Sequence, residues 1–97
     1  MDYEISLTDS AKKDIACYEA ADQRLIAAGI ITHLKSDAEK ETRRKKQLRP
    51  NPVAPWELRI DKFRVFYSIE EGANLKIVAV GHKEHNDLFI QGKKVQL

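Results

Sequence analysis

WELRI at 56–60, FRVFYSIE at 63–70 and LKIVAVG at 75–81 decide how this chain folds. Trp56, Leu58 and Ile60 alternate with Glu57 and Arg59. Phe63, Val65, Tyr67 and Ile69 then continue the apolar series. A period of two sends successive side chains to opposite faces of a strand, so both runs read as strands with one apolar face. Asp61-Lys62 between them is short and polar enough for a hairpin turn, although it lacks the favoured Asn-Gly pair. Gly72 marks a second turn between Glu70 and Asn74. The run from Leu75 to Gly81 is almost unbroken in its apolarity, as in a central strand covered on both faces.

A two-residue turn at 61–62 sets Ile60 opposite Phe63 and Arg59 opposite Arg64. Both arginines then fall on the face away from the helices. Directly opposed like charges are destabilising. Glu57, two residues before Arg59 on that face, can relieve the repulsion, and so can a bound anion. A solvated face of mixed charge accounts for the same pattern.

Upstream, Tyr3, Ile5 and Leu7 alternate in a half-buried strand over 2–7. Thr8 or Asp9 can cap a helix carrying Ala11, Ile15 and Tyr18 at helical spacing, ending near Ala20. A second helix is expected from about Asp22 to near Lys46, with Ile26, Ile30 and Leu34 on one stripe, flanked by Ile31 and Ala38. Gly29 inside it costs ~1 kcal/mol relative to Ala. Pro50, Pro52 and Pro55 make 49–55 an extended connection. Residues 88–97 are expected to form a short edge strand or a loose tail. The order β-α-α-β-β-β gives an α+β fold: two helices on one face of a mostly antiparallel four-stranded sheet, in a single domain spanning 1–97.

Ninety-seven residues, 42% of them apolar, are enough for one core. Cys17 is the single cysteine, cannot close an intramolecular disulfide and points to a reducing compartment; it is expected to be a small buried side chain. No run resembles a signal peptide or a membrane span, so the expected setting is cytoplasmic, without a membrane partner. A net charge of +2 permits nucleic-acid binding without arguing for it.

The densest positive run is Arg43-Arg44-Lys45-Lys46. At a helix C-terminus such cations interact favourably with the dipole, and equally they can hold RNA phosphates without reading sequence. The polar segment from Gly81 to Asp87 follows a buried strand, a position where rigid scaffolds present reactive groups. His82 and His85 are its imidazoles, the side-chain type best suited to acid–base work near neutral pH. Together with Asp87 they form only a weak metal set, and no metal or cofactor is expected. His33 reads as a helix-surface or boundary residue.

The element order, the strand FRVFYSI and the run LKIVAVGHKEH resemble the RelE/ParE superfamily of toxins from toxin–antitoxin pairs, over nearly the whole chain. The RelE-like branch implies a metal-independent endoribonuclease, an mRNA interferase that stops translation by cleaving messages, usually on the ribosome. The ParE-like branch implies a non-catalytic poison of DNA gyrase. Both imply a cognate antitoxin, with operator DNA reached through the antitoxin complex. An inactive member that only binds its antitoxin is a further alternative.

Carried over by resemblance, Arg64 contacts the reacting phosphate, Arg59 is a cationic position on the preceding strand, and Lys83 stands where RelE has a second arginine. His85 and Phe89 resemble the His and Phe of YafQ-type toxins, where the His is catalytic. Glu57 falls where RelE has a lysine, and Phe89 where it has a tyrosine. The expected site is therefore Arg64, Lys83, His85 and Glu57 for catalysis, with Glu57 or His85 moving protons. RNA is held by Arg59, by Phe89 stacking on a base, and by Arg43, Arg44, Lys45 and Lys46.

Overall fold

The computed structural model describes residues 2–97. Its elements are β1 (Glu4–Leu7), α1 (Asp9–Ala16), α2 (Ala20–Leu34), β2 (Lys45–Gln47), β3 (Trp56–Ile60), β4 (Phe63–Glu70), β5 (Asn74–Glu84), β6 (Asp87–Ile90) and β7 (Lys93–Val95). The fold is α+β, as expected, but the sheet has seven strands in place of four. Its path is β2-β3-β4-β5-β6-β7, antiparallel throughout, with β1 added parallel to the first half of β5.

The expected hairpin register is borne out: Ile60 pairs with Phe63 and Arg59 with Arg64. Asp61 adopts a positive φ of 50°, a left-handed conformation that Asp tolerates better than most residues. Trp56, Leu58, Ile60, Val65, Tyr67, Leu75, Ile77 and Val80 form the core against Ala11, Ile26, Ile30 and Leu34 of the helices. Gly29 has a positive reason to lie inside α2. A Cβ there would run into the side chain of Ile60, so its absence lets α2 settle on β3.

The second helix stops twelve residues short of the expected end near Lys46. Lys35 is its C-cap, and Asp37 turns left-handed at φ 58°. Ala38, expected on the helical stripe, is buried, yet it lies beyond the helix and accepts the Tyr67 hydroxyl at 2.8 Å. The segment 45–47 that was expected to end a helix is instead β2, at the sheet edge. The residues expected to form an extended connection fold into a compact loop. Leu48 N–H donates to Pro55 O, and the Asn51 carboxamide accepts from Val53 and Ala54 N–H. That loop places Leu48, Val53 and Ala54 on a second apolar cluster with Phe66, Ala79 and Leu88, on the sheet face away from the helices. The tail is neither loose nor a single strand: it pairs as the β6–β7 hairpin.

One irregularity shapes the centre. The β4–β5 register shifts between Phe66 and Tyr67, leaving Val78 as an extra residue. Beside it, β5 has no strand neighbour between its β1 and β6 ladders. Side chains of α1 and its cap fill the gap. Thr8 Oγ1 accepts from Ala11 N–H as helix cap and donates to Val78 O, while buried Asp14 accepts from Val80 N–H at 2.9 Å and from the Gln91 amide at 2.5 Å. No helix is long and apolar enough to cross a membrane, among the described residues.

Candidate nucleic-acid interface

Pairing parity brings three arginines into one row. Lys45 lies opposite Leu58, and Arg59 N–H donates to Arg44 O at 2.7 Å, which sets Arg44 beside Arg59. Arg59 in turn opposes Arg64, and Arg64 opposes Gly81. Arg59 and Arg64 thus stand on β3 and β4, and Arg44, the residue before β2, lies level with them at the sheet edge, on the face away from the helices. With Arg43 and Asp61 they line a shallow concavity of about 380 Å³. The next row inward on the same face is Lys46, Glu57, Phe66 and Ala79.

Glu57 is buried, its side chain only 5% exposed, and its Oε1 accepts from Arg59 Nε at 3.1 Å. Arg59 itself is 44% exposed. This arrangement removes Glu57 from the freely accessible position that a general base needs. Arg64 turns its Nη1 to Asp61 O at 2.7 Å and Phe63 O at 2.9 Å, bracing the β3–β4 turn. Its Nε is buried without a hydrogen-bond partner among the described residues. Burial lowers the pKa of this guanidinium and Arg59 lowers it further, while Glu57 works the other way. A buried donor lacking a partner carries an uncompensated desolvation cost.

Lys45 corrects the reading of the basic run. It belongs to the helix face, is buried, and donates its Nζ to Asp37 O at 2.8 Å. Its job is to tie the 35–44 loop to β2, and it is withdrawn from any RNA surface. Arg43, Arg44 and Lys46 are exposed.

Lys83 shares the arginine face, two residues beyond Gly81 on β5, but lines a different depression with Asp87, Leu88, Lys94 and Leu97. His85 sits at the tip of the β5–β6 hairpin, exposed, with φ 51° and Asn86 at φ 71°. It lies four residue steps beyond Gly81, or about 13 Å at ~3.3 Å per residue. Phe89 faces the other way. It pairs with His82, stacks on its ring at a centroid distance of 5.7 Å, and so lies on the helix side, away from the arginine row.

The sequence reading gave His82 no defined contacts, whereas the fold gives it several. Its Nδ1 meets the Tyr18 hydroxyl at 2.7 Å, and Nε2 lies 3.6 Å from Glu84. Burial raises the Tyr18 pKa to about 12, helped by the thiol of Cys17 and nearby carboxylates. Cys17, expected to be buried, is exposed just past α1. The helical spacing of Tyr18 was visible in the sequence, but nothing local paired it with a residue 64 positions away.

The family model described as the ParE toxin of type II toxin–antitoxin systems, parDE, matches residues 5–87. Among solved structures, a chain of the RelBE2 toxin–antitoxin complex from Mycobacterium tuberculosis matches with a TM-score of 0.66 at 18% identity, covering 86% of this chain and 100% of that one. At that identity the likeness concerns the fold. No curated protein matches.

Proposed function

Since this chain belongs to the ParE toxin family of type II toxin–antitoxin systems, we propose that it is a toxin acting on messenger RNA as a metal-independent endoribonuclease. The observation that carries this reading is the row formed by Arg59 on β3, Arg64 on β4 and Arg44 just before β2, with Arg43 lining the same concavity. Three guanidinium groups on a rigid sheet suit a phosphodiester, because each can present a planar fork to phosphate oxygens.

The reaction is attack of a ribose 2′-hydroxyl on the adjacent phosphorus. The P–O5′ bond breaks, leaving a 2′,3′-cyclic phosphate and a 5′-hydroxyl. Negative charge grows on the phosphorane oxygens, and the row together with Lys83 stabilises it. Arg64 is central, held in place by its turn contacts. His85 is the side chain proposed for proton transfer; at about 13 Å from the row it serves only a scissile linkage that lies between the two, beside Lys83. Lys46 and Arg43 extend the phosphate track. The partner that restrains the toxin is a cognate antitoxin, in keeping with the RelBE2 complex on the same fold.

A second reading is favoured by one observation: the distance of His85 from the row and the turning away of Phe89 leave the row without a close acid–base group. A toxin that binds a topoisomerase through this cationic face and catalyses nothing needs no such group. Induced expression with primer extension on cellular messages decides between them. Cleaved messages and early arrest of translation are expected. Intact messages with gyrase-linked DNA breaks would establish the second reading.

A further inference from the structure

The row brings three arginines to one concavity, yet among the described residues Glu57 alone is a carboxylate bonded into it. Its position is unusual for a charged group: it lies on the sheet face next to Phe66 and is almost wholly covered. Buried carboxylates persist where a cation satisfies them. Here that cation is Arg59, engaged through Nε and not through the Nη pair. The bond to Glu57 leaves the Nη groups, which form the two-pronged contact with phosphate, unused, and Arg59 lines the concavity. Arg64, opposite Arg59, leaves a buried Nε without a partner among the described residues.

We infer that Glu57 is the internal counter-ion of the arginine row, holding the Arg59 guanidinium ready for phosphate and standing in for that phosphate while the site is empty. This rests on the reading of the row as a phosphate site. Glu57 is then a positioning residue, which acts on the ligand through Arg59. Without its charge, Arg44, Arg59 and Arg64 repel one another, and only the Asp61 carboxylate, which is bonded to none of them among the described residues, is left in the concavity to offset them. A bound anion supplies the missing charge, so the need for anion and the presence of Glu57 substitute for each other. The same charge weakens the pull on an incoming phosphate. The native site is thereby kept intact when empty at some expense in affinity.

The test is thermal unfolding of the full chain titrated with inorganic phosphate, against chloride at matched ionic strength so that general screening cancels. A ligand that binds only the folded state raises the midpoint, by roughly 4–8 °C for a domain of this size at about five times its dissociation constant. Glu57→Gln, which keeps shape and removes charge, is expected to melt below wild type in chloride and to gain more from phosphate than wild type does. Glu57→Gln/Arg59→Gln is expected to recover stability in chloride and lose the excess response. Should Glu57→Gln fail to fold in chloride, phosphate must restore it and the double variant must fold without it; otherwise the inference is wrong.

Equal phosphate responses in wild type and Glu57→Gln would overturn the counter-ion role while leaving the phosphate site standing. No phosphate response in wild type would remove the phosphate reading of the row itself. A general-base role for Glu57 would leave the phosphate response unchanged and lower only cleavage.

Discussion

Arg64 serves both the fold and the proposed chemistry. Its Nη1 satisfies two carbonyls at the β3–β4 turn, and the residue lines the concavity. Arg64→Ala is therefore expected to cost ~1–3 kcal/mol of stability through the lost turn contacts, and to slow message cleavage ~10²–10³-fold. A denaturant titration and primer extension measure the two separately. Unchanged stability would show that the turn contacts contribute nothing, and unchanged cleavage would take Arg64 out of the site. His85 requires a gentler substitution because its backbone is left-handed. Asn tolerates that conformation, so His85→Asn should keep the hairpin and remove only the imidazole. Slower cleavage with an intact melt is expected. Full activity would deny His85 any proton transfer and strengthen the topoisomerase reading.

At the scale of elements, the junction of α1 with β5 is the most exacting. A bulge and a gap between two ladders leave backbone groups that a sheet would otherwise pair. Thr8 and Asp14 take them over. Asp14→Ala strands the Val80 N–H in the core and frees Gln91, with an expected loss of about 2–3 kcal/mol. Native-state hydrogen exchange at Val80 should rise with it, and an amide still protected in the variant would mean that another group takes over. The β5–β6 hairpin has its own constraint at Gly81. A Cβ there would meet the Phe89 backbone oxygen and the Ile90 side chain. The glycine permits the close approach that ends the arginine row on a side without a side chain.

For the molecule as a whole, the two ends of the pH scale should be limited by different groups. Burial lowers the His33 pKa, and Arg44 and Lys45 lower it further. An imidazole depressed in the folded state binds protons more readily when unfolded. Its stabilising contribution is therefore complete above the unfolded value of ~6.5 and is lost as pH falls below it. Tyr18 acts at the other end. Its phenol, raised from 10.0 to about 12, keeps its proton in the fold where the unfolded chain has lost it. Stability should therefore fall as pH rises through that window. Chemical denaturation at a series of pH values checks both. In His33→Gln the acid-side decline should flatten, and a decline unchanged in that variant would assign it to the carboxylates.

Alternation carried the strands of the β3–β4 hairpin, because a period of two over five or more residues is a local property of the chain, and a two-residue turn at 61–62 then set its register and the opposition of Arg59 to Arg64. The helical stripe likewise marked Ile26, Ile30 and Leu34 as core. The strand β2 was not legible, and β6 and β7 only as one possible edge strand in the tail, since KKQ, DLFI and KKV do not alternate as β1 does and their pairing partners lie elsewhere in the sequence. That gap decided the site. Pairing of β2 put Arg44 in the row and, one residue later, turned Lys45 into the interior. The β5–β6 register sent Phe89 to the helix face and left Lys83 on the other. Side-chain parity flips with every residue, so a strand whose register is unknown leaves the destination of each charge undetermined until tertiary pairing fixes it.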